Sequence, residues 1–119
     1  MRRIALAVLF AAQACAGAAL AETRCGWVVN PTPGNWWLTD SKGEWIMMTQ
    51  GVDRDPGMDR IPDTAGRNWV ETNSGGHGYG CGCMGGAYDA KTKMVTKIAS
   101  FAWKPLSACR KDKGLKAPE

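Results

Sequence analysis

The stretch that decides the fold is Ser74–Cys83, which reads Ser-Gly-Gly-His-Gly-Tyr-Gly-Cys-Gly-Cys and contains two cysteines and the chain's single histidine. As a β-strand it would point Tyr79, Cys81 and Cys83 to one face and glycine to the other, because side chains alternate along a strand. The glycine face leaves room for a large group to lie against the backbone. Both sulfurs then need partners on the same face, and a bridge between Cys81 and Cys83 would strain disulfide geometry.

The first residues have the pattern of a signal peptide. Residues 1–3 supply two arginines, residues 4–12 are apolar, and residues 19–21 read Ala-Leu-Ala, a cleavage motif. The apolar run is too short for a permanent membrane-spanning helix. Lipidation of Cys15 is the alternative to cleavage after Ala21. The pattern predicts export, and hence a periplasmic or secreted protein.

The expected domains are a signal peptide at residues 1–21 and one small, disulfide-stapled, β-rich domain at residues 22–119. Without Arg2 and Arg3, Lys+Arg falls from 15 to 13 against 11 Asp+Glu, which leaves a formal charge of +2. Such a balance does not favour nucleic acid as a partner.

Cleavage also removes Cys15 and leaves four cysteines in the mature chain. An even set in a small exported chain is typical of a disulfide framework in an oxidising compartment. With a Cys81–Cys83 bridge excluded, Cys25 and Cys109 must each bond to one of the strand cysteines. We favour Cys25–Cys81 with Cys83–Cys109; the exchanged pairing is the alternative.

Short β-prone segments separated by glycine, proline and asparagine predict a mostly β fold. The expected architecture is a small antiparallel sheet or sandwich with a short C-terminal helical segment, because Pro105 is suited to a first helical turn. The predicted strands begin near Cys25, Trp36, Glu44, Asn68, Tyr79 and Met94.

Several motifs together resemble a known family. Arg-Cys-Gly-Trp at residues 24–27 is followed by Asn-Pro-Thr-Pro-Gly-Asn at residues 30–35, and the pattern returns in Tyr-Gly-Cys-Gly-Cys at residues 79–83. Further matches are Trp69-Val70, Pro105-Leu106 and Cys109-Arg110. The chain thus resembles a family of small exported bacterial proteins catalogued as Domain of Unknown Function 4087. The resemblance implies an exported, cysteine-containing domain and carries no known activity or catalytic residues.

A site for a soft metal ion is the most specific alternative to a disulfide framework. His77, Cys81 and Cys83 place one imidazole and two sulfurs within a few residues, and Cys25 or Cys109 would be a fourth ligand. Such ligands suit zinc or copper(I). Thiolate coordination and disulfides compete for the same sulfurs, and export favours disulfides. Our main interpretation therefore includes no metal and no other cofactor.

Tryptophan is abundant, with six residues in the chain. Large aromatic side chains build cores in small domains and also anchor ligands and partners. Trp36 and Trp37 are adjacent on a predicted strand, so they should face opposite ways. With His77 and Tyr79 they are the candidate binding residues.

Groups for catalysis are scarce, since His77 has no nucleophile beside it in a recognisable context. The sequence therefore predicts a non-enzymatic binding or inhibitory module of the bacterial envelope. Loops at residues 30–35 and 74–78, or an exposed aromatic patch, would present the contacts. The expected partner is an envelope protein, a host protein or a glycan.

Overall fold

A computed structural model of the chain describes residues 20–63 and 66–118. Cys15 and the rest of residues 1–19 lie outside the described part, so the signal peptide, its cleavage and the lipidation alternative stay predictions. Of the helices in the described part, none is long and apolar enough to cross a membrane.

The described residues fold into six strands and one short α-helix, which confirms the predicted mostly β class and the C-terminal helical segment. The elements are β1 (Leu20–Asn30), β2 (Trp36–Asp40), β3 (Gly43–Met48), β4 (Trp69–Asn73), β5 (His77–Asp89), β6 (Met94–Lys104) and α1 (Leu106–Arg110). Single turns of 3-10 helix lie at Met58–Arg60 and Gly66–Asn68 in the connection from β3 to β4.

Strand β5 is the centre of the sheet, because three other strands pair with it. Strand β1 runs antiparallel along one edge, from Leu20 opposite Tyr88 to Asn30 opposite Gly78. Strands β4 and β6 share the other edge. The glycine-rich stretch thus lies in the most extensively paired strand of the described fold.

The strand pairings close into a ring in the order β1-β2-β3-β6-β5-β1. The first three strands form a meander and β5 returns beside β1, which is a Greek-key arrangement. Five of the six pairings are antiparallel, as predicted; the parallel contact of β3 with β6 and the ring closure were not predicted.

The contact between β3 and β6 is the weakest seam of the barrel, with a single bridge between Ile46 and Met94. The loop residue Arg54 reinforces it. Its Nη1 donates to the carbonyl of Val95 on β6 at 2.7 Å, and its Nη2 donates to the carbonyls of Met47 and Ile46 on β3 at 2.8 and 3.2 Å. One guanidinium therefore joins the two strands where the ladder is short.

The inside of the barrel holds the larger of two hydrophobic clusters. Large rings cover the inward-facing glycines of β5: a Cβ on Gly80 would lie 2.9 Å from Trp103, and one on Gly82 would lie 2.7 Å from Phe101. The prediction that this glycine face accepts large groups is confirmed. The buried members of the cluster are Val28, Leu38, Trp45, Met47, Met84, Tyr88, Val95 and Ile98.

The two disulfides lie outside the barrel, and the predicted framework of two bridges is confirmed. The bonds are Cys25–Cys83 and Cys81–Cys109, so the pairing we favoured from the sequence is wrong and the exchanged pairing is right. The reason is strand register, because Cys25 lies directly opposite Cys83, with a Cα–Cα distance of 4.0 Å. Cys81 lies opposite Trp27 and is left to bond to Cys109 in α1.

Arg24 lies at one end of the barrel, where its guanidinium stacks 3.9 Å from the centroid of the Trp45 ring. It forms ion pairs with Asp40 at 2.8 Å and with Glu22 at 3.0 Å. Burial of Asp40 acts to raise its pKa, but hydrogen bonds from Arg24, Trp45 and the Lys42 N–H, together with the charge of Arg24, outweigh burial and lower the pKa.

We predict that the Arg24–Asp40 pair contributes an acid-sensitive part of stability. Since the pKa of Asp40 is lower in the folded than in the unfolded chain, its contribution is complete above about pH 4 and disappears as the pH falls through the folded-state pKa. In urea unfolding, Asp40→Asn should lower the free energy of unfolding by about 1–2 kcal/mol near neutral pH, and less in acid. Asp53→Asn, at an exposed position, is the matched control. A loss that is the same at every pH would contradict the prediction.

We also predict that Arg54 is essential for closure of the barrel. Arg54→Met leaves three backbone carbonyls without this donor and should cost about 2–4 kcal/mol of unfolding free energy. Arg60→Met is the matched control, because Arg60 is exposed and makes one hydrogen bond of 3.2 Å, to the carbonyl of Ala99. If both variants lose the same small amount of unfolding free energy, β3 and β6 stay paired without Arg54.

Candidate functional site

The two loops predicted to present contacts meet at the end of the barrel opposite Arg24. Asn30 is the last residue of β1 and pairs with Gly78 near the start of β5, so the loops at residues 30–35 and 74–76 leave the sheet side by side. The Asn73 side chain links them, since its Nδ2 donates to the carbonyl of Pro31 at 3.2 Å.

Asn30 organises this end of the barrel. Its side chain is buried, with 6% exposed, and its Nδ2 donates to the carbonyls of Thr32 and Asn35 at 2.9 and 2.8 Å. Its Oδ1 lies 2.8 Å from His77 Nδ1. Because both amide hydrogens are already used, Oδ1 is the acceptor and Nδ1 of His77 is the donor. In the neutral ring, Nε2 of His77 is then a hydrogen-bond acceptor.

An open cavity of about 440 Å³, the end cavity, lies between these loops and the connection from β3 to β4. Asp63 and His77 contribute polar groups, whereas no lysine or arginine is among the described lining residues. Its size and its mixture of apolar walls with a few polar groups are typical of small-ligand sites. The apolar walls come from Trp36, Met58, Ile61 and Pro62.

Aromatic residues hold the walls of the end cavity in place. The indole N–H of Trp69 donates to the carbonyl of Gly76 at 2.9 Å, and that of Trp103 donates to the carbonyl of Pro62 at 3.0 Å. The two indoles pack edge to face, with centroids 5.7 Å apart. The loop at residues 74–76 and the connection from β3 to β4 are therefore attached to the aromatic end of the barrel. The cavity is part of the folded scaffold.

Gly75 and Gly76 adopt positive φ angles of 86° and 80°, a conformation that other residues rarely adopt. A Cβ on Gly75 would lie 3.5 Å from Nε2 of His77. The glycines therefore make the turn that leads into β5 and leave the space beside this nitrogen free of side-chain atoms.

The four predicted binding residues fall into two pairs. Trp36 and His77 line the end cavity, whereas Trp37 and Tyr79 line a second cavity of about 380 Å³ on the outer face of the barrel. As expected for neighbours on a strand, the two tryptophans lie on opposite faces. The C-terminal segment borders the outer cavity through Lys116.

The tryptophans do not form a flat exposed patch. Trp27 and Trp45 are buried, the other four are half-buried, and the single large hydrophobic side chain exposed in the described residues is Val52, at 50%. The exposed aromatic patch expected from the sequence is not found among the described residues. Contacts with a ligand are therefore best supplied by the cavities.

In this structure the cysteines proposed as soft-metal ligands are in disulfide bonds. Cys81 is bonded to Cys109 and Cys83 to Cys25, so neither sulfur is a free thiolate beside His77. Within residues 20–63 and 66–118, no group of three or more His, Cys, Asp or Glu side chains is arranged to hold a metal ion.

Sequence reasoning missed one wall of the end cavity. Residues 51–68 have a largely polar sequence with two prolines, which is typical of a surface loop, yet Met58 and Ile61 from this segment pack against the inner cluster. Their spacing of three residues, across a 3-10 turn, was the available signal. Asn30 was also missed as an individual residue, because its importance depends on a partner 47 residues away.

We predict that Asn30 is needed to hold both loops. Asn30→Ala removes three hydrogen bonds and leaves buried partners unpaired, which should cost about 2–3 kcal/mol of unfolding free energy. Gln50→Ala is the matched control, since the Gln50 side chain is exposed and its loss should cost about 0.5 kcal/mol. Urea unfolding measures the loss, and a similar loss in both variants would contradict the prediction.

Comparison with known proteins confirms the family resemblance drawn from the sequence. Residues 19–116 match the family model described as "Protein of unknown function (DUF4087)". No curated protein and no solved structure gives a significant match. Because the family model covers most of the sequence, the chain belongs to the DUF4087 family.

Proposed function

We propose that this protein is an exported, non-enzymatic binding module that takes up its ligand in the end cavity. The observation that carries the proposal is the convergence of the two loops on one concave site. There, the ring of Trp36 lies among apolar walls, with Asp63 and His77 as polar groups.

Export is supported by the two disulfides, which fit an oxidising environment. It also agrees with the signal peptide predicted at residues 1–21. The partner that we propose is a component of the cell envelope or of a host, either a protein or a glycan. Where the partner is a hydrolase, occupation by this module would act as inhibition.

The non-enzymatic character is supported by the surroundings of His77. Its hydrogen-bond partner is the amide of Asn30, which does not exchange protons as a carboxylate does in a catalytic relay. Among the described residues, no hydroxyl or thiol is hydrogen-bonded to the imidazole, and the four cysteines of the described chain are in disulfides. The site therefore has groups that bind and orient a ligand, without an activated nucleophile.

Preorganisation also suits a binding role. The lining residues come from the ends of β1 and β2 and from loops attached to the aromatic end of the barrel. A site that is ordered before the ligand arrives avoids the entropic cost of ordering it on binding.

We predict that ligand capture depends on the end cavity. Immobilised protein should retain a component of an envelope extract, which is separated into protein and glycan fractions before it is applied. The double variant Trp36→Phe/Asp63→Asn should reduce retention about tenfold, which corresponds to a loss of about 1.4 kcal/mol. The matched control is Trp37→Phe/Asp53→Asn, which makes the same chemical changes outside the cavity.

Equal retention by both double variants would place the binding site elsewhere. Chemical conversion of the retained component by purified wild-type protein, lost in the Trp36→Phe/Asp63→Asn variant, would refute the non-enzymatic role.

A further inference from the structure

We infer that the ligand of the end cavity is a neutral, hydroxyl-rich saccharide. This inference rests on the proposed binding function and adds the chemical class of the ligand. It follows from three properties of the cavity: its charge, its hydrogen-bonding groups and its aromatic wall.

The described part of the lining contributes a negative charge, which disfavours an anionic ligand. Asp63 is the charged side chain that lines the described cavity together with His77, and lysine and arginine are absent from that lining. Phosphate and carboxylate ligands are held mainly by such cations and by clustered N–H donors. An anionic ligand would instead lie near the carboxylate of Asp63 and be repelled by it.

The polar groups that the cavity offers a ligand are hydrogen-bond acceptors. Asp63 accepts through its carboxylate, and His77 offers Nε2 as the ring nitrogen that is not bonded to Asn30. Sugar hydroxyls can donate to both groups while the carbon atoms of the sugar ring contact the apolar walls. An ammonium group would pair with Asp63 but would lose its hydration against those walls.

The apolar part of the cavity fits the remaining surface of a sugar. Trp36 is half-buried and lines the cavity together with Met58 and Ile61. Aromatic rings of this kind present a large apolar face at a small cost in conformational entropy. The C–H groups of a pyranose ring would pack against this wall while its hydroxyls meet Asp63 and His77.

The inference is tested by NMR of the tryptophan indole N–H signals in the intact domain. The probes are two neutral oligosaccharides, chitotetraose and cellotetraose, with spermidine as a cationic probe and inorganic phosphate as an anionic one. At least one sugar should shift the Trp36 signal saturably and leave the Trp37 signal in place. Trp36→Phe and Trp37→Phe assign the two signals.

Affinity for the sugar should fall about tenfold in Asp63→Asn, since a hydrogen bond to the carboxylate is weakened. It should stay within about twofold in Asp53→Asn, because surface changes away from a site have small effects. Both positions are exposed, so both variants should fold normally.

Three results would overturn the inference. If neither sugar shifts the NMR signal of Trp36 at sugar concentrations up to the solubility limit, the ligand is not a neutral saccharide. If spermidine or phosphate shifts Trp36 instead, the ligand class is wrong and the proposed binding function stands. If a sugar shifts Trp37 alone, the saccharide site is the outer cavity. Retention of an envelope component that does not depend on Trp36 and Asp63 would refute the proposed function itself.

Discussion

The barrel depends on the guanidinium of Arg54, because the ring of strands is otherwise joined weakly between β3 and β6. The same interaction fixes the loop that carries Arg54. Two residues further on, the carbonyl of Pro56 accepts a 2.8 Å hydrogen bond from the N–H of Ile98 on β6. The chain then enters the turn that places Met58 and Ile61 over the end of the barrel. Closure of the barrel and formation of one cavity wall are therefore consequences of the same set of contacts.

The opposite wall depends on the long ladder between β1 and β5. Its register ends with Asn30 opposite Gly78, which brings His77 within hydrogen-bonding distance of the Asn30 side chain. The same register brings Cys25 opposite Cys83, so the disulfide fixes the alignment on which the site depends. In the chain-entropy model, a bridge that closes a loop of this length is worth about 4 kcal/mol. A shift of the ladder by two residues would both break this bridge and separate Asn30 from His77.

Local patterns in the sequence predicted most strands and the faces of Tyr79, Cys81 and Cys83, because alternation is a property of each strand alone. The disulfide pairing was predicted incorrectly, since it depends on the register between β1 and β5, which no local pattern specifies. The parallel contact of β3 with β6 was missed for the same reason, and the arginine that supports it lies in a loop that appeared merely polar. The candidate residues Trp36 and His77 were identified separately, yet their shared cavity follows from the topology.

The two ends of the barrel accommodate a buried polar side chain in opposite ways. At one end a charged side chain, Arg24, fills the space over Trp45 and is neutralised by Asp40 and Glu22. At the other end the buried polar group is the neutral amide of Asn30, whose donors and acceptor are all used within the protein. A fully satisfied amide orients His77 without adding a charge to the cavity. Because Gly75 and Gly76 place no side chain there, this end stays open, and Nε2 of His77 keeps its capacity to accept a hydrogen bond from a ligand.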